Sequence, residues 1–597
     1  MLQVNSTAEF RRVLHLPRRP QVWSEAKLDD AVETLTDHFR TPRGTWRVRP
    51  IQARALCEAG DVGRLFARLA PSAGKTLLSA LLFSLWEARR GLLLVPAKLR
   101  EKTLDDWAVL QKHWRIPPLL GLDDTGGRGE PVVRLLSYEH LSSVRQAAFL
   151  EEYRPDVTVP DEAHAFARMA AARSRRYFRW LRAARREAGN FDAYRFAPMS
   201  GSFMRKSVRE DAHLYVAALG DLAPVPDHYP DLVMWSGALD SQPEQSRVGL
   251  GALTEFCSPD ERAAVERTDD WDERRLIAAR AYGRRVRESP GVVSTEEPFA
   301  GAKLTIARRQ IAVPAAVRAA VTRLRVDGVL PNRDEVLEAI EVWAHARQLV
   351  NGFSYRWDPP APPEWQKAKK AWNDVVKTVL KSNREGLDSP LQVWNAVAAG
   401  RFGKVPAFEA WNKIRGTFKP NPVPYWIDDY AFKDAEKWAL ETGGIVWTQH
   451  STAVTKDGAS LSEGAADAAI GGRFKRIPYF GGGPAGEGIK TWRGPCAASI
   501  AAHGTGKNLV QWDQALLMTP PSSGSTLEQV LARLQRDGQT AAAVKFWVYV
   551  RAKEDDAALK TCLTDARYVE ALTGQPQRVL GAVFEGWDET APAADLV

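Results

Sequence analysis

The feature that most constrains this 597-residue chain is the stretch Val157-Thr158-Val159-Pro160-Asp161-Glu162-Ala163-His164. Three β-prone residues followed at once by two acids read as a buried strand that delivers carboxylates at its C-terminal edge, where open α/β sheets bind ligands. The acidic pair suggests one carboxylate to hold a magnesium ion and one to orient or deprotonate a water. Alone, the tetrapeptide Asp-Glu-Ala-His reads equally well as a solvated strand end. It gains meaning if a phosphate loop precedes it and cations for a γ-phosphate follow it.

A phosphate loop does precede it. Leu65 to Leu69 is a predicted strand, followed by Ala70-Pro71-Ser72-Ala73-Gly74-Lys75-Thr76 and by apolar residues at helical spacing up to Gly91. Strand, loop, Gly-Lys-Thr and helix is the arrangement that cradles phosphate. Helix N-terminal amides and the Lys75 ammonium face phosphate oxygens, and the Thr76 hydroxyl reaches magnesium. Two positions depart from the usual loop: Leu69 stands at the first glycine and Ser72 at the middle one. Just upstream, Arg49-Pro50-Ile51-Gln52 opens a predicted helix that runs through Ala59 and is capped by Gly60. Gln52 can offer both faces of its amide to adenine; the plainer reading is a polar residue at a helix start.

Continuous apolar strands at Leu92 to Val95, Val133 to Leu136 and Val157 to Val159 alternate with helical stretches, which argues for a doubly wound parallel sheet. Ser137-Tyr138-Glu139 and Ser200-Gly201-Ser202 put hydroxyl side chains at strand ends. Between them an arginine-rich run from Arg168 to Arg186 contains Tyr177, Phe178 and Trp180. That run reads equally as a track for a nucleic-acid backbone and as a solvated helix. From about Asp240 to Glu441 strand alternation fades and long amphipathic helices are predicted, among them Asp334 to Gln348 and Pro363 to Ser382. The stripe Trp365, Ala368, Trp372, Val375, Val376 and Val379 on the latter reads as core.

Strand patterns return from Gly443 onward. The loop Ala502 to Leu509 resembles a second phosphate loop, but Lys507 is followed by Asn508, which leaves magnesium no hydroxyl. Farther on, Ser525 and Glu528 have the spacing of a capping box, with Leu527, Val530, Leu531 and Leu534 on one face and Gln529, Arg533 and Arg536 on the other. Planar cations held together in this way suit a γ-phosphate. The expected organisation is three regions: 1–240 with the ATP-binding sheet, 241–440 mainly helical, and 441–597 with a second sheet.

The chain is too long for one core. Its formal charge of +9 permits a polyanionic partner, and the four cysteines lie far apart, which suits a reducing cytoplasm and no structural zinc. No secretory signal or bilayer-length apolar run is apparent.

Taken together the stretches resemble superfamily 2 helicases and translocases, nearest to the Swi/Snf branch in the compact form encoded by tailed bacteriophages. The likeness is carried in order by Arg49 to Gln52, Ala70 to Thr76, Leu92 to Leu99, Leu136 to Glu139, Asp161 to His164, Ser200 to Ser202, Ile445 to His450, Gly504 to Leu509 and Gln529 to Gln539. It covers both ends of the chain and not the central helices. The resemblance implies two RecA-like lobes with ATP and Mg2+ in the cleft between them. Lys75, Thr76, Ser72, Ala73 and Gly74 would hold phosphates, Thr76 and Asp161 the magnesium, and Glu162 the attacking water. Gln52 would read adenine, while Arg533 and Arg536, with Gln529 beside them, would act as arginine fingers. Nucleic acid would lie near Pro96, Lys98, Ser137, Tyr138, Gln449, His450, Gly504 and Thr505. The expected activity is that of an ATP-driven DNA motor, a helicase or a double-strand translocase, in the cytoplasm (the host's, for a phage protein). The alternatives are an ATP-gated scaffold that recruits a replication or recombination partner, and an RNA helicase.

Overall fold

The computed structural model describes the chain apart from residues 1, 20–22, 71–72, 122–123, 125–129, 147, 170, 202, 205, 242–246, 297–300, 333–335, 337–338, 358, 383–386, 388–389, 420–421, 450–469 and 588–597. The protein is mixed α/β with two separate parallel sheet systems and many helices. It divides into two compact units. The first comprises Met1–Glu297, Trp372–Phe408 and Arg567–Gln575; the second comprises Pro298–Ala371, Glu409–Ala566 and Pro576–Val597. The division differs from boundaries at 240 and 440, because residues that pattern as a helical middle are shared out between the two sheet systems.

In the first unit, parallel strands run in the order Leu119–Leu120, Val132–Ser137, Arg90–Val95, Val157–Pro160 and Arg195–Phe196. A bridge from Asp161 to Met199 links them to the parallel set Met199–Ser200, Phe66–Arg68 and Val292–Ser294. Alternate residues of these strands enter two different cores, as the period of two requires. Leu92, Leu94, Leu136 and Val292 pack with Tyr177, Phe178, Tyr215 and Tyr282. Leu93, Val95, Val133, Val157 and Val159 pack instead with Leu56, Leu78, Leu81 and Trp107. Both faces are therefore covered, which is why the strands read as unbroken apolar runs. The helix Pro50–Val62 begins with proline at its first position and closes on Gly63 in the left-handed region, three residues past the Gly60 expected from sequence.

The second unit holds a seven-stranded parallel sheet. Its order is Tyr479–Phe480, Cys496–Ser499, Ile445–Thr448, Gln514–Leu517, Ala543–Tyr549, Lys303–Arg309 and Val583–Glu585. The expected mainly helical middle also carries the strands Val292–Ser294 and Lys303–Arg309 and the antiparallel pair Phe353–Trp357 with Pro422–Trp426. The helix Pro363–Ser382 has the predicted bounds. Trp365, Ala368, Trp372 and Val376 are buried along it, as their spacing predicts. All four cysteines are free thiols. Among the described residues no helix is long and apolar enough to cross a membrane.

Candidate functional site

The site is built where the first sheet delivers its strand ends. Strand Phe66–Arg68 runs into Leu69, whose side chain is fully buried and whose N–H donates to the Ser200 carbonyl at 3.1 Å. The departure from glycine at position 69 therefore falls on a residue that still belongs to the sheet, so the loop proper begins at Ala70. Gly74 is the N-cap of helix Lys75–Leu85 and adopts φ 78°, ψ 38°. A Cβ at this position would lie 2.2 Å from Gln52 Nε2, so residue 74 is constrained twice, by its backbone angle and by the carboxamide packed against it.

That carboxamide belongs to a buried side chain. Gln52 Oε1 accepts from Arg49 N at 2.8 Å and Gln52 Nε2 donates to Gly74 O at 2.9 Å. Gln52 thus ties the preceding helix to the loop. Ala73 N donates to Ala70 O at 3.2 Å, closing the loop on itself. Ser72 lies outside the described residues.

Lys75 and the acidic pair meet. The Lys75 ammonium is 3.7 Å from Glu162 Oε1 and 3.4 Å from Leu69 O. Glu162 itself sits in the left-handed region at φ 54°, a conformation that costs a non-glycine residue about 1–2 kcal/mol. Its backbone N–H donates to Asp161 Oδ1 at 2.9 Å, and its carboxylate accepts from Ser200 Oγ at 3.2 Å. His164 Nδ1 lies 2.9 Å from Ser200 Oγ and 3.3 Å from Glu162 Oε2. Backbone strain held in place by this many contacts aims the Glu162 carboxylate back toward the loop.

The two acids are pushed in opposite directions. Burial, and then the adjacent Glu162 charge, raise the Asp161 carboxyl to about 6. Burial also opposes ionisation of Glu162, but the Lys75 ammonium, His164 and the Ser200 hydroxyl overcome it and hold that carboxyl well below the usual range. Two carboxylates thus share one ammonium in a tightly surrounded pocket. This excess of negative charge suits a divalent cation, and half-buried Thr76, next to Lys75 in sequence, carries a further hard oxygen. Among the described residues no cluster of three or more His, Cys, Asp or Glu forms a self-sufficient metal site.

Sequence reasoning missed Gln575. It is buried in the same unit, and with its amide oriented so that donor faces acceptor its oxygen lies 3.2 Å from Ala70 N, which also donates to Thr295 Oγ1, and its nitrogen 3.3 Å from Gly201 O. It clips the start of the loop to the strand that carries Ser200. Nothing local in Gly574-Gln575-Pro576 signals this, since the partners are hundreds of residues distant.

The expected nucleic-acid residues divide. Pro96 is half-buried and Lys98 exposed, on the turn that follows strand Arg90–Val95. Ser137 and Tyr138 are both buried, so these contacts do not fit a surface track. Ser137 is the N-cap of helix Tyr138–Ser142 and accepts from His140 N, while the Tyr138 hydroxyl donates to Asp161 O at 2.8 Å. In the second unit Gln449 is half-buried, its Oε1 3.4 Å from Arg347 Nη2, and His450 lies outside the described residues. Gly504 is buried and Thr505 half-buried, in the turn after helix Ile500–His503.

The late helix spans Gly524–Leu534 with Ser523 as its N-cap, so Ser525 and Glu528 form no capping box. Glu528 instead pairs with Arg578, Oε1 to Nη1 at 2.7 Å. The helix ends before Arg536, yet Arg533 Nη1 and Arg536 Nη1 both donate to Lys507 O, at 2.7 and 3.2 Å. One carbonyl therefore gathers the two guanidiniums that helical periodicity was expected to align. Arg533 is buried and also donates its Nε to Gln529 O at 2.9 Å, whereas Arg536 is half-buried, with a buried Nε that finds no hydrogen-bond partner among the described residues.

The fold and site thus define a mixed α/β protein with parallel sheets and a lysine–carboxylate constellation at the edge of one of them. Comparison of the sequence with protein-family models finds no match, and comparison with curated proteins finds none.

Proposed function

We propose that the chain is a nucleic-acid-dependent ATPase, an ATP-driven DNA motor, in which the two parallel-sheet units are RecA-like lobes. The observation that carries this reading is the 3.7 Å approach of Lys75, at the N-terminus of a helix opened by left-handed Gly74, to Glu162 at the end of a buried strand of the same unit. ATP would lie with its phosphates at this helix N-terminus and would supply the phosphoanhydride whose cleavage drives the cycle. Thr76 and Asp161 would hold the magnesium ion.

The chain's own groups have separable tasks. Lys75 offers compact positive charge to phosphate oxygens. Glu162, kept ionised, orients a water by accepting its hydrogen bond; phosphoryl transfer through a loose transition state asks mainly for such positioning. Ser200 and His164 fix that carboxylate, and Gln52 and Gln575 fix the loop. Arg536, with Arg533 as support, is assigned to the γ-phosphate as an arginine finger.

The test is ATP binding and steady-state hydrolysis by Lys75→Ala and Glu162→Gln. Lys75→Ala is expected to lose both, and Glu162→Gln to keep binding while losing turnover. Near wild-type hydrolysis in both variants would remove this site from the reaction.

A further inference from the structure

The arginine-rich helix Ala172–Ala188 places its side chains on two very different faces. Tyr177, Phe178 and Trp180 are buried in the core of the first unit, so none of them is a platform for stacking bases. Several arginines are drawn inward as well. Arg173 Nε donates to Ala165 O, Arg176 to Leu141 O and Ser143 O, and Arg185 to the carbonyls of Tyr194 and Ala217. Arg179, Arg182 and Arg186 remain exposed. They stand at i, i+3 and i+7, which makes one row along the helix surface.

Arg175, four residues before Arg179, continues the row inward to a second element of the same unit. Its Nη1 donates at 2.6 Å to Leu380 O, near the end of helix Pro363–Ser382. Lys377 and Lys381, on either side of Leu380 in sequence, are exposed. The acids nearest in sequence are Glu187, which pairs with Arg154 at 2.9 Å, exposed Asp374, and Glu385 and Asp388, which lie outside the described residues.

We infer that this row, Arg179, Arg182 and Arg186 continued by Lys377 and Lys381, is a docking surface for the phosphate backbone of duplex DNA. Charge complementarity selects a polyanion. Seven residues of helix span about 10 Å, a length of duplex axis over which each strand carries about three phosphates. The burial of every aromatic on the arginine helix argues against a single strand, which would need ring faces to stack on. The inference rests on the nucleic-acid part of the proposed function and not on ATP hydrolysis.

The test is the affinity of the full chain for a short fluorescent DNA duplex, without nucleotide, over a range of salt concentrations. Arg179→Gln/Arg182→Gln/Arg186→Gln is expected to bind more than about tenfold more weakly at moderate salt. Its log–log salt slope should be shallower by about 2.7, at about 0.9 per lost phosphate contact. The triple lysine variant at the same positions should keep most of the slope, and hydrolysis without DNA should be unchanged in both. An unchanged slope in the triple glutamine variant would overturn the inference while leaving the motor reading intact. Tighter binding of single-stranded DNA or of duplex RNA through this row would overturn it as well. A reduced slope in a chain that hydrolyses no ATP would sustain it and remove only the motor.

Discussion

The contact between Gly74 and Gln52 gives a stability prediction that can be worked through in advance. In Gly74→Ala the new Cβ would lie 2.2 Å from Gln52 Nε2, and the residue would keep φ near 78°. A left-handed alanine costs about 1–2 kcal/mol, and expelling the carboxamide breaks two hydrogen bonds worth about 1 kcal/mol each, for a total of about 3–4 kcal/mol. Gln52→Ala alone loses the same two bonds, about 2 kcal/mol. In the double variant the clash is gone and only the bonds and the backbone strain remain. It should cost about 3–4 kcal/mol, less than the sum of about 5–6, a coupling of roughly 2 kcal/mol. Urea-dependent amide exchange over Pro50–Val62 and Lys75–Leu85 reads this locally, without requiring the whole chain to unfold in one step. Additive losses, or wild-type protection in Gly74→Ala, would refute the claim that Gln52 holds the loop.

Asp161→Asn is expected to stabilise the ligand-free chain at neutral pH while abolishing magnesium-dependent turnover. Because burial and Glu162 raise the Asp161 carboxyl to about 6, the native state holds its proton where the unfolded chain has lost it. The penalty is complete above pH 6 and absent below about 4, so the gain in thermal stability should fade across that interval. Arg536→Ala should cut turnover by on the order of 10³-fold with little effect on ATP binding, whereas Arg533→Ala should also lower the melting temperature, because its buried guanidinium braces Lys507 O. Equal and small effects on turnover would remove the finger role.

Much of the first sheet is legible in the sequence because its strands are buried on both faces and read as apolar runs between Gly and Pro signals. The loop, Lys75 and the acidic pair follow from order along the chain. What sequence conceals is long-range. Lys303–Arg309 carries a readable alternation at Leu304 and Ile306, but its partner is Ala543–Tyr549, far along the chain, and no local pattern joins them. Gln575 reaches Ala70 and Gly201 only through the fold. Tyr138 and Ser137 show the converse: polar groups at a strand end suggest a surface contact, yet a cap and a buried hydroxyl account for both. The Ser525–Glu528 spacing imitates a capping box because Glu528 is needed by Arg578.

The most direct test of the central claim is steady-state ATP hydrolysis by the full chain with no nucleic acid, with duplex DNA, with single-stranded DNA and with RNA, at two salt concentrations. The account predicts strong stimulation by duplex DNA that weakens as salt rises, since the stimulating contacts are to phosphates. Hydrolysis indifferent to all three polymers, or none in any condition, would contradict it.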